Sequence, residues 1–226
     1  MTEQEWLECN GPMLDFLRGK ASDRKLRLFA CACCRRVWNC LWSGRVGQEA
    51  ILTAERFADG LATVEELDAS RLLVLGQLEL HPGEPVFDPS YWACESDIQE
   101  SAEKSAGYAA NRSTISVDES LDNYDARWEE QRVEESNVQA SFLHDLFGPM
   151  LFNSMTLDPV WLAWHDGTIP SIAHTIYEER RFQDLPILAD ALEEAGCTNA
   201  DILYHCRQPE EHVRGCWVVD LLLGKQ

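Results

Sequence analysis

The sequence lacks any apolar run near the roughly 18 residues that a membrane-spanning helix needs. Its first residues, Met1 to Trp6, are acidic, whereas a signal peptide begins with basic residues followed by an apolar segment. We therefore expect a cytoplasmic protein with no membrane partner. Basic residues are also scarce, since 19 Lys and Arg stand against 39 Asp and Glu, a net charge of −20. This charge disfavours direct binding to nucleic acid, because phosphates would be repelled.

Several catalytic signatures are missing as well. No Gly-x-Ser-x-Gly, P-loop or Gly-x-Gly-x-x-Gly pattern occurs, so hydrolase, nucleoside-triphosphatase and dinucleotide chemistry lose support. The sequence assigns no catalytic residue and predicts no organic cofactor, and we lean towards a protein that is not an enzyme. The chain has 226 residues, of which 45% are hydrophobic and 26% charged, as in an ordinary globular protein with one large or two small domains.

Helical signals run along nearly the whole chain. Apolar residues from Leu26 to Leu41 recur at helical spacing behind a Ser22-Asp23 cap, which predicts a central helix that ends near Trp42. Thr63 and Glu66 form a predicted capping box. Since no segment gives a convincing strand, we predict an all-α fold, an irregular multi-helix bundle with two lobes joined by acidic helices.

Charge divides the sequence into three predicted segments. Residues 1–83 form an N-terminal helical lobe with a basic, cysteine-rich helix, and residues 84–139 form an acidic helical insert or arm. Residues 140–226 form a C-terminal helical lobe that packs on the first. Positions 84–135 carry 14 acidic and four basic residues, whereas positions 1–45 carry eight basic and five acidic ones. We expect the basic element to pair internally with acidic helices rather than to bind an anion.

Two long motifs carry a family resemblance. Residues 12–30 read PMLDFLRGKASDRKLRLFA and are followed by Cys33-Cys34-Arg35-Arg36; residues 185–197 read LPILADALEEAGC and residues 212–225 read HVRGCWVVDLLLGK. Together they resemble an uncharacterised family that is abundant in planctomycete bacteria, often as many paralogues. The resemblance covers both ends of the chain but not its acidic middle. It implies a bacterial cytoplasmic protein and no particular activity.

The sharpest chemical pattern is a set of thiols and imidazoles near the C-terminus. Its candidate metal ligands are Cys197, His205, Cys206, His212 and Cys216. Thiolates and imidazoles at short spacings are the donors that tetrahedral zinc uses, so zinc is the candidate metal. No Cys-x2-Cys pair is present, however, and the alternative is that Cys197 and Cys216 pack in the core while the histidines are exposed.

A second cysteine cluster lies in the predicted central helix. Cys31 and Cys34 share a helical face and could offer two thiolates to the same metal. Neighbouring Arg35 and Arg36 would then lower the thiol pKa values. The chain has nine cysteines and no export signal, so free thiols are expected. The alternative interpretation makes these cysteines small, buried core residues.

Two functions follow from these observations. The first is a non-enzymatic, acidic helical interaction module, an adaptor, regulator or inhibitor that binds a protein with a basic surface, including by mimicry of nucleic acid. Its candidate contacts are Glu129, Glu130, Glu134, Glu135, Trp92 and Trp128. The alternative is a metal- or thiol-dependent enzyme or a redox sensor built on the Cys and His clusters. The sequence leaves the oligomeric state and the partner open.

Overall fold

The computed structural model describes residues 1–8, 13–79, 88–113, 124–153 and 155–225. Over these ranges the chain forms thirteen α-helices and no β-strand, so the predicted all-α multi-helix fold is confirmed. None of the described helices is long and apolar enough to cross a membrane. The chain divides into two compact units. We call Asn10–Ala140 the N-terminal unit, and Met1–Cys9 with Ser141–Gln226 the C-terminal unit.

The N-terminal unit contains six complete helices and most of a seventh. They are α2 (Met13–Leu17), α3 (Asp23–Arg36), α4 (Arg45–Ala58), α5 (Val64–Glu79), α6 (Pro89–Ala93), α7 (Ile98–Ser113) and the first part of α8 (Tyr124–Phe147). Residues 88–113, which belong to the predicted acidic insert, therefore share a compact unit with α3. The boundary between residues 83 and 84 lies outside the described residues. Packing of the predicted C-terminal lobe on the first lobe stays a prediction.

Helix α3 is the centre of the N-terminal unit. The Ser22 hydroxyl accepts a hydrogen bond from the Lys25 backbone N–H, which caps the first turn as the sequence predicts. The helix packs against α4, α6 and α7. Its ten residues from Lys25 to Cys34 are all buried, because neighbours cover it on several sides. The helix ends at Arg36 rather than near Trp42, and a short 3-10 turn over Trp38–Cys40 follows it.

Three of the four arginines of α3 pair with carboxylates of the same unit. Three ion pairs have N–O distances of 3.1, 2.6 and 3.2 Å, namely Arg24–Asp59, Arg35–Glu55 and Arg36–Glu135. The predicted internal pairing of the basic element is confirmed for these three arginines. Such pairs let buried carboxylates remain charged, because an unpaired buried charge is costly.

Helix α5 starts with the predicted capping box. The Glu66 N–H donates to the Thr63 hydroxyl over 3.2 Å, and the Thr63 N–H donates to the Glu66 carboxylate over 2.7 Å. This reciprocal pair provides acceptors for two of the backbone N–H groups that have no partner within the helix. The prediction from local sequence is confirmed here.

The C-terminal unit is built around buried aromatic and aliphatic side chains. Its helices are α1 (Glu3–Leu7), the last part of α8, α9 (Pro159–Ala163), α10 (Thr168–Glu179), α11 (Leu185–Glu194), α12 (Ala200–Arg207) and α13 (Trp217–Leu223). Trp217 and Tyr177 are the largest fully buried side chains in a core that also includes Trp161, Leu188 and Ile176. This core fixes α12 and α13, the two helices that flank the site described next.

Candidate metal centre

Four side chains with metal-binding atoms meet in the C-terminal unit. They are Asp145, His205, His212 and Cys216, and one ligand atom from each lies within 4.8 Å of the others. The prediction from sequence named His205, His212 and Cys216, and the structure brings these three together. It adds Asp145, which the sequence analysis did not name.

Each residue is held by a different part of the fold. Asp145 lies in the last turn of α8, His205 lies in the last turn of α12, and Cys216 is the residue before the first turn of α13. His212 lies in the segment that joins α12 to α13. The Val213 backbone N–H donates to Asp145 Oδ2 over 2.8 Å, which fastens this segment to α8.

Two atoms, His205 Nε2 and Asp145 Oδ1, each take part in two of the contacts within the cluster. His205 Nε2 lies 3.1 Å from Asp145 Oδ1 and 3.2 Å from Cys216 Sγ. His212 Nδ1 lies 2.6 Å from the same Oδ1 atom. His212 Nε2 is buried and has no hydrogen-bond partner among the described residues. The cluster is therefore a compact hydrogen-bonded group whose donor and acceptor atoms face one small volume.

Burial and charge shape the titration of this cluster. Burial opposes ionisation of Asp145, but the hydrogen bonds and charges of His205 and His212 outweigh it and lower the Asp145 pKa to about 2. Burial favours the neutral His212 ring, yet the bond to Asp145 prevails and raises the His212 pKa. Burial, with the Asp145 charge adding to it, raises the Cys216 pKa well above its usual range. Cys216 is therefore a neutral thiol until a cation displaces its proton.

The geometry differs from that of a nucleophilic relay. In a relay the histidine uses one ring nitrogen for the nucleophile and the other for the orienting carboxylate. Here the single atom Nε2 of His205 faces both Cys216 and Asp145. A raised thiol pKa also opposes nucleophilic attack. Convergence of several donors on one point is typical of a metal site instead.

A small pocket opens beside the cluster. Its volume is about 30 Å³, and its lining includes His144, His205 and His212 together with Glu210 and Glu211. A single water needs about 10–15 Å³ measured in this way, whereas ligand pockets hold about 300–1,000 Å³. The pocket thus fits an ion or a water molecule and is too small for an organic substrate.

Comparisons with known proteins give no indication of what this cluster does. No family model, no curated protein and no solved structure matches the chain. The function is therefore argued below from the residues alone.

The other two predicted C-terminal ligands lie outside the cluster. Cys197 and Cys206 are buried in the core of the C-terminal unit, at 1% and 0% exposure. Burial raises both thiol pKa values, that of Cys206 to about 12. Neither joins the four-residue group. Cys197 and Cys216 both lie in this core, as the core-packing interpretation expected, whereas His205 and His212 are partly buried rather than exposed.

Cys31 and Cys34 belong to the N-terminal unit and are 1% and 0% exposed. Neither belongs to a group of metal-capable side chains found among the described residues. Burial raises both thiol pKa values well above their usual range, although Arg35 was expected to lower them. Burial is the largest cause for both thiols. Arg35 does lower the Cys31 pKa, but burial and the charge of Glu55, which binds Arg35 with two hydrogen bonds of 2.6 and 2.8 Å, outweigh it.

The candidate partner contacts fall into two groups. Glu129, Glu130 and Glu134 are exposed on α8. Glu135 was expected to contact a partner, but its residue is only 5% exposed and its carboxylate pairs with Arg36. Glu129 forms a 2.7 Å ion pair with its neighbour Arg132.

The two candidate tryptophans are both partly buried. The Trp92 ring stacks on Tyr108 with centroids 6.0 Å apart. Arg132 lies 5.9 Å from the centroid of the Trp128 ring. Both rings therefore already have intramolecular contacts on part of their surface.

Asp145 is the member of the cluster that was not predicted from the sequence. It lies about sixty residues before the other three ligands, and it is one of 39 acidic residues, so composition gives no signal. Its local setting does give one. Asp145 and its neighbour His144 lie between the apolar pairs Phe142-Leu143 and Leu146-Phe147, where a core-facing helix favours apolar residues. A buried acid in such a stripe requires a partner.

Proposed function

We propose that the chain binds one zinc ion at Asp145, His205, His212 and Cys216. The observation that supports this is the convergence of one oxygen, two nitrogens and one sulfur within 4.8 Å. Thiolate and imidazole donors favour zinc over calcium and magnesium, which prefer oxygen ligands.

The observed distances suit a site just short of its metal-bound geometry. Zn–N bonds of about 2.0–2.1 Å and a Zn–S bond of about 2.3 Å give a tetrahedral N–S separation of about 3.5 Å. The observed His205 Nε2 to Cys216 Sγ distance is 3.2 Å. Ligand atoms closer than a tetrahedral edge would move apart to admit the ion, and any pair near the 4.8 Å limit would move together. The closest pair, at 2.6 Å between His212 Nδ1 and Asp145 Oδ1, would separate most.

A structural role suits this site better than catalysis. All four ligands come from the protein, which is the arrangement of closed, structural zinc sites, whereas catalytic sites keep an open position. Asp145 is 4% exposed and Cys216 is fully buried. The ion would join α8, α12 and the start of α13, and so stabilise the C-terminal unit by binding the folded state alone.

The test is a zinc titration of the full chain, purified without affinity metal and treated with a chelator. Calorimetry should give a stoichiometry of one zinc per chain. Cobalt, which reports tetrahedral thiolate ligation by its visible absorption, should give a sulfur-to-metal charge-transfer band.

Two cysteine variants sharpen the experiment. Cys216→Ala should abolish the charge-transfer band and weaken zinc binding by at least about tenfold. Cys206→Ala is the matched control, because its thiol is equally buried in the same unit but lies outside the cluster. Equal zinc affinity in the two variants, or no zinc binding by the native chain, would show that the cluster is only a hydrogen-bonded part of the core.

A second candidate function is binding of a basic protein surface by the exposed acidic face of α8. The supporting observation is that Glu130 and Glu134 are one turn apart, exposed, and close to Val133, which is 46% exposed. Long-range attraction to a cationic partner would follow from the net charge of −20.

Polylysine is a simple probe for this face. The double variant Glu130→Lys/Glu134→Lys should bind polylysine more weakly than Glu79→Lys/Glu194→Lys, which changes the net charge equally at exposed positions elsewhere. Equal weakening in both double variants would mean that only the net charge matters. Binding that does not fall as salt rises would also contradict the proposal.

A further inference from the structure

The N-terminal unit contains a cavity that the metal centre does not use. Its volume is about 350 Å³, within the range of about 300–1,000 Å³ that small-molecule sites occupy. Residues of α3, α4, α5 and α7 line it. Its walls are largely apolar and include Phe57, Leu67 and Ile98.

A buried arginine forms part of the lining. Arg27 is 4% exposed, and its Nη1 atom donates to the backbone oxygens of Ala93 and Glu95 and to the Ser101 hydroxyl, over 2.9, 2.5 and 3.2 Å. Its Nε atom is buried and has no hydrogen-bond partner in the described parts of the chain. All three partners of Nη1 are uncharged groups, and the carboxylates of Asp23 and Glu95 act on the guanidinium without a hydrogen bond to it.

This state of Arg27 differs from that of the neighbouring arginines. Arg24 pairs with Asp59 and Arg35 pairs with Glu55, each at hydrogen-bond distance. Arg27 has no carboxylate oxygen within ion-pair distance among the described residues. The centroid of the Phe57 ring lies 5.6 Å from its guanidinium carbon. Burial lowers the Arg27 pKa, because the charged form has lost hydration. A buried cation in this position favours an anionic ligand.

We propose that this cavity binds a small carboxylate with an aliphatic body, whose carboxylate pairs with Arg27 and whose chain packs against Phe57, Leu67 and Ile98. Two further acids, Asp23 and Asp68, line the cavity and are exposed. They repel a simple anion but would attract an ammonium group. An aliphatic amino acid shares the proposed chemistry and adds that group.

Three probes of similar size separate these possibilities. They are 4-methylpentanoate, its uncharged amide, and L-leucine, each titrated into the full chain and followed by amide chemical shifts of cavity residues. The carboxylate should bind at least about tenfold more tightly than the amide, since hydrogen bonds to charged groups are the stronger ones. Tighter binding of L-leucine than of 4-methylpentanoate would identify an amino acid as the ligand class, and the reverse order would identify a simple carboxylate.

Variants must leave the fold intact. Replacing Arg27 itself removes three buried hydrogen bonds, so the main variant is Ala58→Met, which fills the cavity and retains Arg27. Ala69→Met is the matched control, because Ala69 is exposed on α5 and does not line the cavity. Ala58→Met should weaken carboxylate binding at least about tenfold, whereas Ala69→Met should not change it. Equal binding of acid and amide, no shift with any probe, or an unaffected Ala58→Met variant would overturn the proposal.

Discussion

The Asp145 carboxylate should stabilise the metal-free chain by an amount that depends on pH in a defined way. The Asp145 pKa falls from 3.8 to about 2 on folding. At about 1.4 kcal/mol for each pKa unit, this shift corresponds to about 2 kcal/mol of stability. Because the folded pKa is the lower one, the contribution is present above about pH 4 and is lost as the pH falls towards 2.

His212, the partner of Asp145, sets the upper limit of the pH range in which this contribution is complete. The His212 pKa is raised above its usual 6.5 by the same interaction, so the ionic part of the bond is complete below pH 6.5 and is lost as the pH rises through the folded pKa. The two shifts describe one contact and are not added. The difference between native chain and Asp145→Asn should therefore be largest between about pH 4 and pH 6.5.

Urea unfolding in the presence of a chelator measures this difference. Intrinsic fluorescence of the eight tryptophans follows the unfolding, and one of them, the buried Trp217, has its ring centroid 5.2 Å from that of His205. Asp145→Asn should lower the free energy of unfolding by about 2 kcal/mol near pH 5, equivalent to a fall of about 4–8 °C in melting temperature. The matched control Asp190→Asn removes an exposed carboxylate of the same unit and should cause no measurable change. If the two variants are equally stable, or if their difference does not vary with pH, the assigned interaction is absent.

Three other substitutions test the packing and the thiols. Gly148→Ala should destabilise the chain by more than about 2 kcal/mol, because Gly148 has a φ of +48° and its added Cβ would lie 2.5 Å from the Trp217 indole nitrogen. Gly224→Ala, with a φ of +65° and open space, should cost only about 1 kcal/mol, and equal losses measured by urea unfolding would contradict the close approach. Cys40 is exposed, so Cys40→Ser should remove one rapidly reacting thiol from a native labelling experiment, and unchanged fast labelling would show that Cys40 is shielded.

Features that depend on a few neighbouring residues could be predicted from the sequence. Thr63 and Glu66 form the predicted box because both partners lie within one turn. Asp158 likewise caps α9 from an adjacent position, since it accepts from the Val160 N–H and precedes Pro159. The helix ending at Phe147 shows the limit of this approach. The predicted segments divide between residues 139 and 140 on charge, whereas no Gly or Pro interrupts the sequence of this helix, and α8 continues from Tyr124 to Phe147.

Features that depend on distant partners could be predicted only in part. The spacing of His205, His212 and Cys216 indicated a ligand set, because α12 and the turn after it bring close neighbours together. Spacing could not choose between Cys216 and Cys206, since both are buried thiols and only the direction of each side chain separates them. Pairing of Asp145 with this set depends on where α8 runs in the C-terminal unit, and a single sequence carries no such information.

The environment of Arg27 also depends on residues that are distant in the sequence. The sequence places Arg27 three residues after Arg24 on a helix with many arginines, and the expectation that such arginines pair with carboxylates holds for Arg24, Arg35 and Arg36. Arg27 is the exception because backbone oxygens of Ala93 and Glu95 occupy its Nη1 atom. A carboxylate at that position would have completed a closed core. Uncharged partners instead leave a buried cation at the edge of an open volume, which is why the proposed ligand must itself supply the negative charge.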